Sequence, residues 1–157
     1  MQHAHGHHRG VGTSLSRTAL GATLHCLTGC AIGEVLGLVV GTALGLSNAA
    51  TIALAVGLAF AFGYSFTLVP LLDGGLGFRG ALGIAFAADT LSIAVMEIVD
   101  NAAVVAVPGA MDAGLGSGLF WATLALALAL AFAAAFPLNR WLIGRGRVHA
   151  VAHAHHR

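Results

Sequence analysis

Residues 24–46 of the chain are LHCLTGCAIGEVLGLVVGTALGL, and this stretch decides the fold. It contains one acidic residue and neither Arg nor Lys, and its apolar residues form one long run instead of an amphipathic pattern. A helix needs roughly 20 apolar residues to cross a bilayer core about 30 Å thick. The stretch therefore predicts a transmembrane helix.

Four segments of the chain reach this length, and together they predict an all-α fold, an integral membrane four-helix bundle. They are about 18–46, 49–72, 80–108 and 115–138, within a membrane domain of residues 18–139. Turn-forming residues separate them: Ser47-Asn48, Asp73-Gly74-Gly75 and Pro108-Gly109. The fourth segment alternates Leu and Ala as a strand would, but it lacks the polar face of a membrane barrel. A helix satisfies its own backbone in lipid, so this segment is predicted to be helical as well.

The composition of the whole chain agrees with a lipid environment. Hydrophobic residues make up 58% of it and charged residues only 8%, whereas a soluble domain carries about 25% charged residues. The net charge of +1 leaves no basic patch for nucleic acid. The sequence also contains no hydrolase triad and no phosphate-binding loop. The chain is therefore predicted to be a non-enzymatic protein whose main partner is the lipid bilayer.

The arginines predict the orientation of the helices. All seven lie on one side of the predicted bundle, and they are Arg9, Arg17, Arg79, Arg140, Arg145, Arg147 and Arg157. Positive residues accumulate on the cytoplasmic side. The tails, residues 1–17 and 140–157, are therefore predicted to be cytoplasmic in a multi-pass protein of the plasma (inner) membrane. The first apolar run is too long for the core of a cleavable signal peptide.

A glycine face runs along the first helix, where Gly29, Gly33, Gly37, Gly41 and Gly45 recur at every fourth position. Small residues at this spacing let two helix backbones approach closely in lipid. The face is predicted to pack against a neighbour. The second helix and a second copy of the chain, as a homodimer, are the two candidates.

Ionisable and polar side chains concentrate on the first and third helices. Each charge inside a bilayer costs roughly 2.5 to 3.5 kcal/mol on insertion scales and usually indicates function. The first helix carries His25, Cys26, Cys30 and Glu34, and the third carries Asp89, Thr90, Ser92, Met96, Glu97, Asp100 and Asn101. Counted at about 1.5 Å per residue, Cys26 lies level with Asp89, and Glu34 lies level with Glu97. The two helices are predicted to face each other as a ladder of sulfur, carboxylate and hydroxyl groups.

The sulfur atoms predict the kind of cargo. Thiolate and thioether ligands select soft metals such as Cu(I), and imidazole suits several transition metals. Cys26 and Cys30 present two sulfurs one helical turn apart, with His25 and Met96 as candidate completing ligands. We therefore predict binding and transport of a soft transition-metal ion, Cu(I) first.

Two further groups of residues fit this prediction. Charge compensation or a proton path is assigned to Glu34, Asp89, Glu97, Asp100 and Asn101. Metal collection or buffering in the cytoplasm is assigned to the His-rich tails, with His3, His5, His7 and His8 at one end and His149, His153, His155 and His156 at the other.

Three short motifs follow one another along the chain: His25-Cys26-x-x-Gly29-Cys30-x-x-Gly33-Glu34, Asp89-Thr90 and Met96-Glu97-x-x-Asp100-Asn101. In this order they resemble an uncharacterised bacterial family of small four-helix membrane proteins, domain of unknown function 4396. The resemblance covers roughly residues 24–147, and the His-Cys-x-x-Gly-Cys run is its most specific part. It implies the same fold and no established activity. Some relatives are similar to companions of copper proteins, which favours copper.

Two alternative functions stay open. The first is a transporter or channel for protons or hard cations, in which the carboxylates act and the cysteines only pack. The second is a membrane thiol oxidoreductase that cycles Cys26 and Cys30. Their spacing of four residues within one helix gives marginal disulfide geometry, and the sequence has no quinone or haem motif. The metal content of protein with and without the two cysteines would separate the three functions.

Overall fold

The computed structural model consists of four α-helices: α1 (His7–Ala43), α2 (Asn48–Asp73), α3 (Phe78–Ala106) and α4 (Gly118–Ala154). It describes the backbone of residues 7–154 and the side chains of residues 14–146. The described backbone contains no strand. Each helix is long and apolar enough to cross a membrane, over Ser14–Ala43, Asn48–Asp73, Phe78–Ala106 and Gly118–Gly146. The predicted all-α membrane bundle of four helices is confirmed.

The first and last helices, α1 and α4, extend beyond the predicted segments toward the two ends of the chain. α1 begins at His7 instead of residue 18, and α4 continues to Ala154 instead of ending at residue 138. The prediction follows apolar residues, whereas a helix keeps its backbone hydrogen bonds after it leaves the apolar layer. Residues 1–6 and 155–157 lie outside the described residues, and so do the side chains of His7, His8, His149 and His153. The prediction that the tails collect metal therefore falls outside the described side chains.

The surface of the bundle is apolar, and its interior holds the charges. Ile98 and Val105 on α3 are 69% and 65% exposed, whereas Glu97 and Asp100 on the same helix are 4% and 3% exposed. A soluble protein almost never fully buries unpaired acids. This inverted distribution fits a lipid environment, in which polar groups turn toward the bundle interior.

Short connections place the helices in antiparallel order. Gly45 and Gly75 adopt φ values of 64° and 85° in the first and second turns, a left-handed conformation that glycine reaches without a steric penalty. Ser47 precedes α2, and its hydroxyl accepts a hydrogen bond from the Ala50 backbone N–H at 3.4 Å. Residues 44–47 and 107–117 meet at one end of the bundle, called here the hairpin end. The chain ends and residues 74–77 lie at the other, the terminal end.

The four helices form a ring in which α1 and α3 face each other across the centre. α1 contacts α2 and α4 as neighbours, and α3 does the same. α1 and α3 also contact each other, whereas no Cα atoms of the described parts of α2 and α4 lie within 8 Å of each other. The faces of α1 and α3 that carry the polar residues therefore meet along the axis of the bundle.

The glycine face of α1 packs against α2 of the same chain. A methyl group built on Gly29 would lie 2.8 Å from the Gly63 backbone nitrogen, too close for any real contact. The pairs along the face are Gly29 with Gly63, Gly33 with Ala59, Gly37 with Ala55 and Gly41 with Thr51. The second helix is thus the neighbour, and a dimer through this face would have to displace it. Gly45, predicted to belong to the face, instead forms the turn after α1.

A buried amide joins three of the helices near the terminal end. Asn139 on α4 donates hydrogen bonds to the Thr23 hydroxyl of α1 at 2.9 Å and to the Ser92 hydroxyl of α3 at 3.0 Å. All three side chains are buried. Polar side chains that pair inside a membrane bundle hold helices together, typically by about 1 kcal/mol each. These contacts of Asn139 were not predicted, because Asn139 lies just beyond the fourth predicted segment.

Candidate functional site

The polar side chains of α1 and α3, together with Thr67 of α2, form three layers along the axis of the bundle. The histidine layer lies nearest the terminal end, the cavity layer lies nearest the hairpin end, and the middle layer lies between them. The histidine layer contains His25, Cys26, Thr67, Asp89 and Ser92; the middle layer contains Cys30, Glu97 and Asn101; the cavity layer contains Glu34 and Asp100.

In the histidine layer, a thiol is paired with a carboxyl group. The Cys26 Sγ donates to Asp89 Oδ1 at 3.8 Å, and the Ser92 side chain also interacts with Cys26. The second carboxyl oxygen of Asp89, Oδ2, is buried without a hydrogen-bond partner among the described residues. One buried thiol and one half-satisfied carboxyl group therefore lie side by side.

His25 belongs to this layer but points toward α2. Its Nε2 lies 3.4 Å from the Thr67 hydroxyl, and its ring packs edge-on against Phe66 with 5.4 Å between centroids. The imidazole is also close enough to Asp89 to interact with it electrostatically. His25 thus approaches the Asp89 carboxyl from the α2 side.

In the middle layer, the second thiol meets a second carboxyl group. The Cys30 thiol faces the Glu97 carboxyl. Asn101 donates to the Glu97 backbone carbonyl at 2.8 Å and to Glu97 Oε2 at 3.5 Å. The other oxygen, Glu97 Oε1, is buried and unpartnered within the described part of the chain. The thiol–carboxyl pairing of the histidine layer is thus repeated about one helical turn away on α1.

The cavity layer contains carboxyl groups without a thiol. The side chains of Glu34 and Asp100 face each other and are 6% and 3% exposed. The two carboxyl groups hydrogen-bond to each other when they share a proton, and no other described residue donates to Glu34 Oε2 or Asp100 Oδ1. Both side chains line a cavity of about 90 Å³ that extends toward the hairpin end.

The sulfur of Met96 lies in the same core as the two thiols. Met96 is fully buried, and it packs in one cluster with Cys26, Cys30 and Ile93. Within residues 14–146, however, no three side chains of His, Cys, Asp or Glu are placed to hold one metal ion together. The structure thus brings the predicted sulfur residues into one core without forming a closed cage of such ligands.

The charges of the site are strongly unbalanced. Four acidic side chains occupy the three layers. The arginines among residues 14–146 lie toward the terminal end, at positions 17, 79, 140 and 145. His25 is thus the one basic side chain of the described part that lies in the layers. Protons or cations must supply the remaining compensation, because an isolated carboxylate is costly in hydrocarbon.

The predicted level is confirmed at one end of the ladder, and the other end differs in part from the prediction. Cys26 and Asp89 meet as predicted, whereas Glu34 hydrogen-bonds to Asp100 and interacts with Glu97, its predicted partner, only at longer range. Counting residues compares Cα heights, but a glutamate side chain is long enough to reach a group about one turn away. Thr67 was missed because a lone threonine on an apolar helix gives no signal in the sequence.

The comparisons with known proteins place the chain within a family. The family model described as "Domain of unknown function (DUF4396)" matches residues 16–147. The match includes all three layers but assigns no role to His25, Cys26 or Cys30. The comparison with curated proteins and the comparison with solved structures each gave no match.

Proposed function

The chain belongs to the family of the domain of unknown function DUF4396, and we propose that it binds a soft transition-metal ion, Cu(I) first, and transports it through the centre of the bundle. The observation that carries this proposal is the pairing of each thiol with a carboxyl group: Cys26 with Asp89, and Cys30 with Glu97.

This pairing meets two requirements for binding a metal ion inside a membrane. A thiol must lose its proton before it binds metal, and the neighbouring carboxylate is placed to receive that proton. A bare cation also needs compensating charge in hydrocarbon, which the thiolates and the remaining carboxylates supply. The buried thioether of Met96 adds a third soft ligand in the same core. Two thiolates and one thioether suit Cu(I), which accepts fewer ligands than the four that Zn²⁺ takes in structural sites.

The experiment that tests the proposed function measures Cu(I) flux in vesicles that contain the purified protein. We expect flux above that of empty vesicles. Glu97→Gln should slow it by roughly ten- to a hundredfold while Cu(I) binding stays measurable, because losing one interaction with a charged group costs roughly 1.5 to 3 kcal/mol. Asp112→Asn is the matched control, because Asp112 is exposed in the α3–α4 connection and should leave the flux unchanged. Equal Cu(I) flux with and without the protein would contradict transport.

The cavity layer favours a second candidate function, the transport of protons or hard cations. Its two carboxyl groups line a cavity of about 90 Å³, which is large enough to hold water. The same vesicles distinguish the two functions when a pH-sensitive dye is enclosed. Proton flux that persists after Cys26→Ser and Cys30→Ser, without any Cu(I) flux, would support this second function. The thiol oxidoreductase alternative has no specific observation in its favour.

We also propose that both chain ends are cytoplasmic and that the protein lies in the plasma membrane. The described arginines lie toward the terminal end, where α1 begins and α4 ends, and positive residues accumulate on the cytoplasmic side. Reporter proteins fused before residue 7 and after residue 154 should therefore both be active in the cytoplasm. A reporter inserted beside Asp112 should be active outside. An external N-terminus would reverse the direction of the three layers.

A further inference from the structure

The cavity at the hairpin end contains a sulfur ligand that the proposed function has not used. Met111, in the connection between α3 and α4, lines the cavity together with Glu34 and Asp100. The cavity holds about 90 Å³ and extends from this carboxyl pair to the chain segment of residues 107–117. A thioether and two carboxyl groups thus line one small volume at the end of the ladder.

The distribution of sulfur along the chain supports a role for this residue. Residues 14–146 contain four sulfur atoms, those of Cys26, Cys30, Met96 and Met111. Three of them lie in the core cluster, and the fourth lines the cavity that adjoins it. Every sulfur atom of residues 14–146 therefore lies in the core cluster or lines the cavity.

The carboxyl pair adds two charged ligand groups to the cavity. Glu34 and Asp100 are more than nine-tenths buried and line the cavity, and their side chains hydrogen-bond to each other, which requires the pair to hold a proton. Asn101 and Thr51 add an amide and a hydroxyl group to the lining. Buried polar atoms are normally satisfied by protein, water or ions. A cation that enters the cavity would displace the proton shared by Glu34 and Asp100 and would keep the charge of the pair compensated.

We propose that Met111, Glu34 and Asp100 form a second binding site for a soft monovalent cation, at which the cargo enters or leaves the ladder from the hairpin end. The identity of the ion at this site rests on the proposed function. The thioether selects a soft ion, and the carboxyl groups compensate its charge. Glu97 adjoins both Glu34 and Asp100 electrostatically, so the site continues into the middle layer and to Cys30.

Silver ion tests this site on the full-length protein, because Ag(I) is soft and monovalent and, unlike Cu(I), is not oxidised by peroxide to a divalent ion. Hydrogen peroxide converts methionine to its sulfoxide. Mass spectrometry of peptides measures the oxidation of Met111 separately from that of the other methionines. At a silver concentration about ten times the dissociation constant, about one site in eleven is empty. The oxidation rate of Met111 should then fall about tenfold.

The variants make the result specific to this site. Glu34→Gln combined with Asp100→Asn should remove most of the protection, while Asp112→Asn, next to Met111 but exposed, should retain it. Cys26→Ser with Cys30→Ser should also retain it, so failure of the core site and failure of this site give different results. Silver that fails to protect Met111 in the folded wild-type protein would overturn the proposal. Equal protection in the Glu34/Asp100 variant would overturn it as well, and each single substitution provides a check if the double variant folds poorly.

Discussion

Replacement of Cys26 and Cys30 by serine is expected to abolish stoichiometric Cu(I) binding by the full-length protein in the presence of a competing Cu(I) chelator. Serine preserves the size of the side chain and removes the soft ligand. The chelator removes Cu(I) from weaker sites such as the histidine tails, so the remaining binding reports the core. We expect the dissociation constant to rise by at least about a thousandfold, which corresponds to about 4 kcal/mol.

The neighbouring residue Thr28 provides the control for this experiment. It lies on the same part of α1 but is exposed, so Thr28→Ser should leave Cu(I) binding unchanged. Met96→Leu, which conserves volume, should weaken binding less than the double cysteine variant. If the serine variant folds and binds Cu(I) as tightly as the wild type, the sulfur core is not a metal site. The hard-cation or proton function would then take its place.

Gly37→Leu is expected to push α1 away from α2 and to destabilise the bundle. A side chain at this position would meet the backbone and Cβ of Ala55, and backbone cannot move aside without shifting the whole of α2. Overpacking typically costs about 1 to 3 kcal/mol, and a clash with backbone belongs at the upper end of that range. We expect little monodisperse protein after purification and a correspondingly lower free energy of unfolding in a detergent titration.

Gly21→Leu is the matched control, because it makes the same substitution on the same helix. A Cβ at Gly21 meets no atom within 4 Å, so this variant should fold about as well as the wild type. If both variants behaved alike, the contact between the glycine face and α2 would contribute nothing to the stability of the bundle.

The sequence was sufficient to predict the membrane fold because lipid imposes a simple rule on it. A transmembrane segment must be apolar over roughly 20 residues, and each of the four helices contains such a segment. The meeting of Cys26 with Asp89 also followed, since both residues lie on regularly spaced faces of parallel helices. These predictions depend on helix geometry alone.

Other features depend on tertiary packing, and the sequence left them undecided. The glycine spacing indicates a close contact but does not say whether α2 or a second copy provides it. The pairing of Glu34 with Asp100 depends on how far a flexible side chain reaches. Met111 lies in an irregular connection, where no periodicity indicates which way the chain turns.

The hydrogen bonds of Asn139 have a consequence for the vertical alignment of α4. Much of this helix repeats Leu and Ala, and the middle of its buried face consists of Ala127, Ala131 and Ala135 at intervals of four residues. A slide by one turn, about 5.4 Å, would bring one alanine into the place of the next and change the packing of this middle part very little. The same slide would carry the Asn139 amide away from both of its hydroxyl partners and leave it unsatisfied in an apolar interior, at a cost of roughly 1 to 3 kcal/mol. Asn139 thereby favours one axial position of the repetitive part of α4 beside α1 and α3.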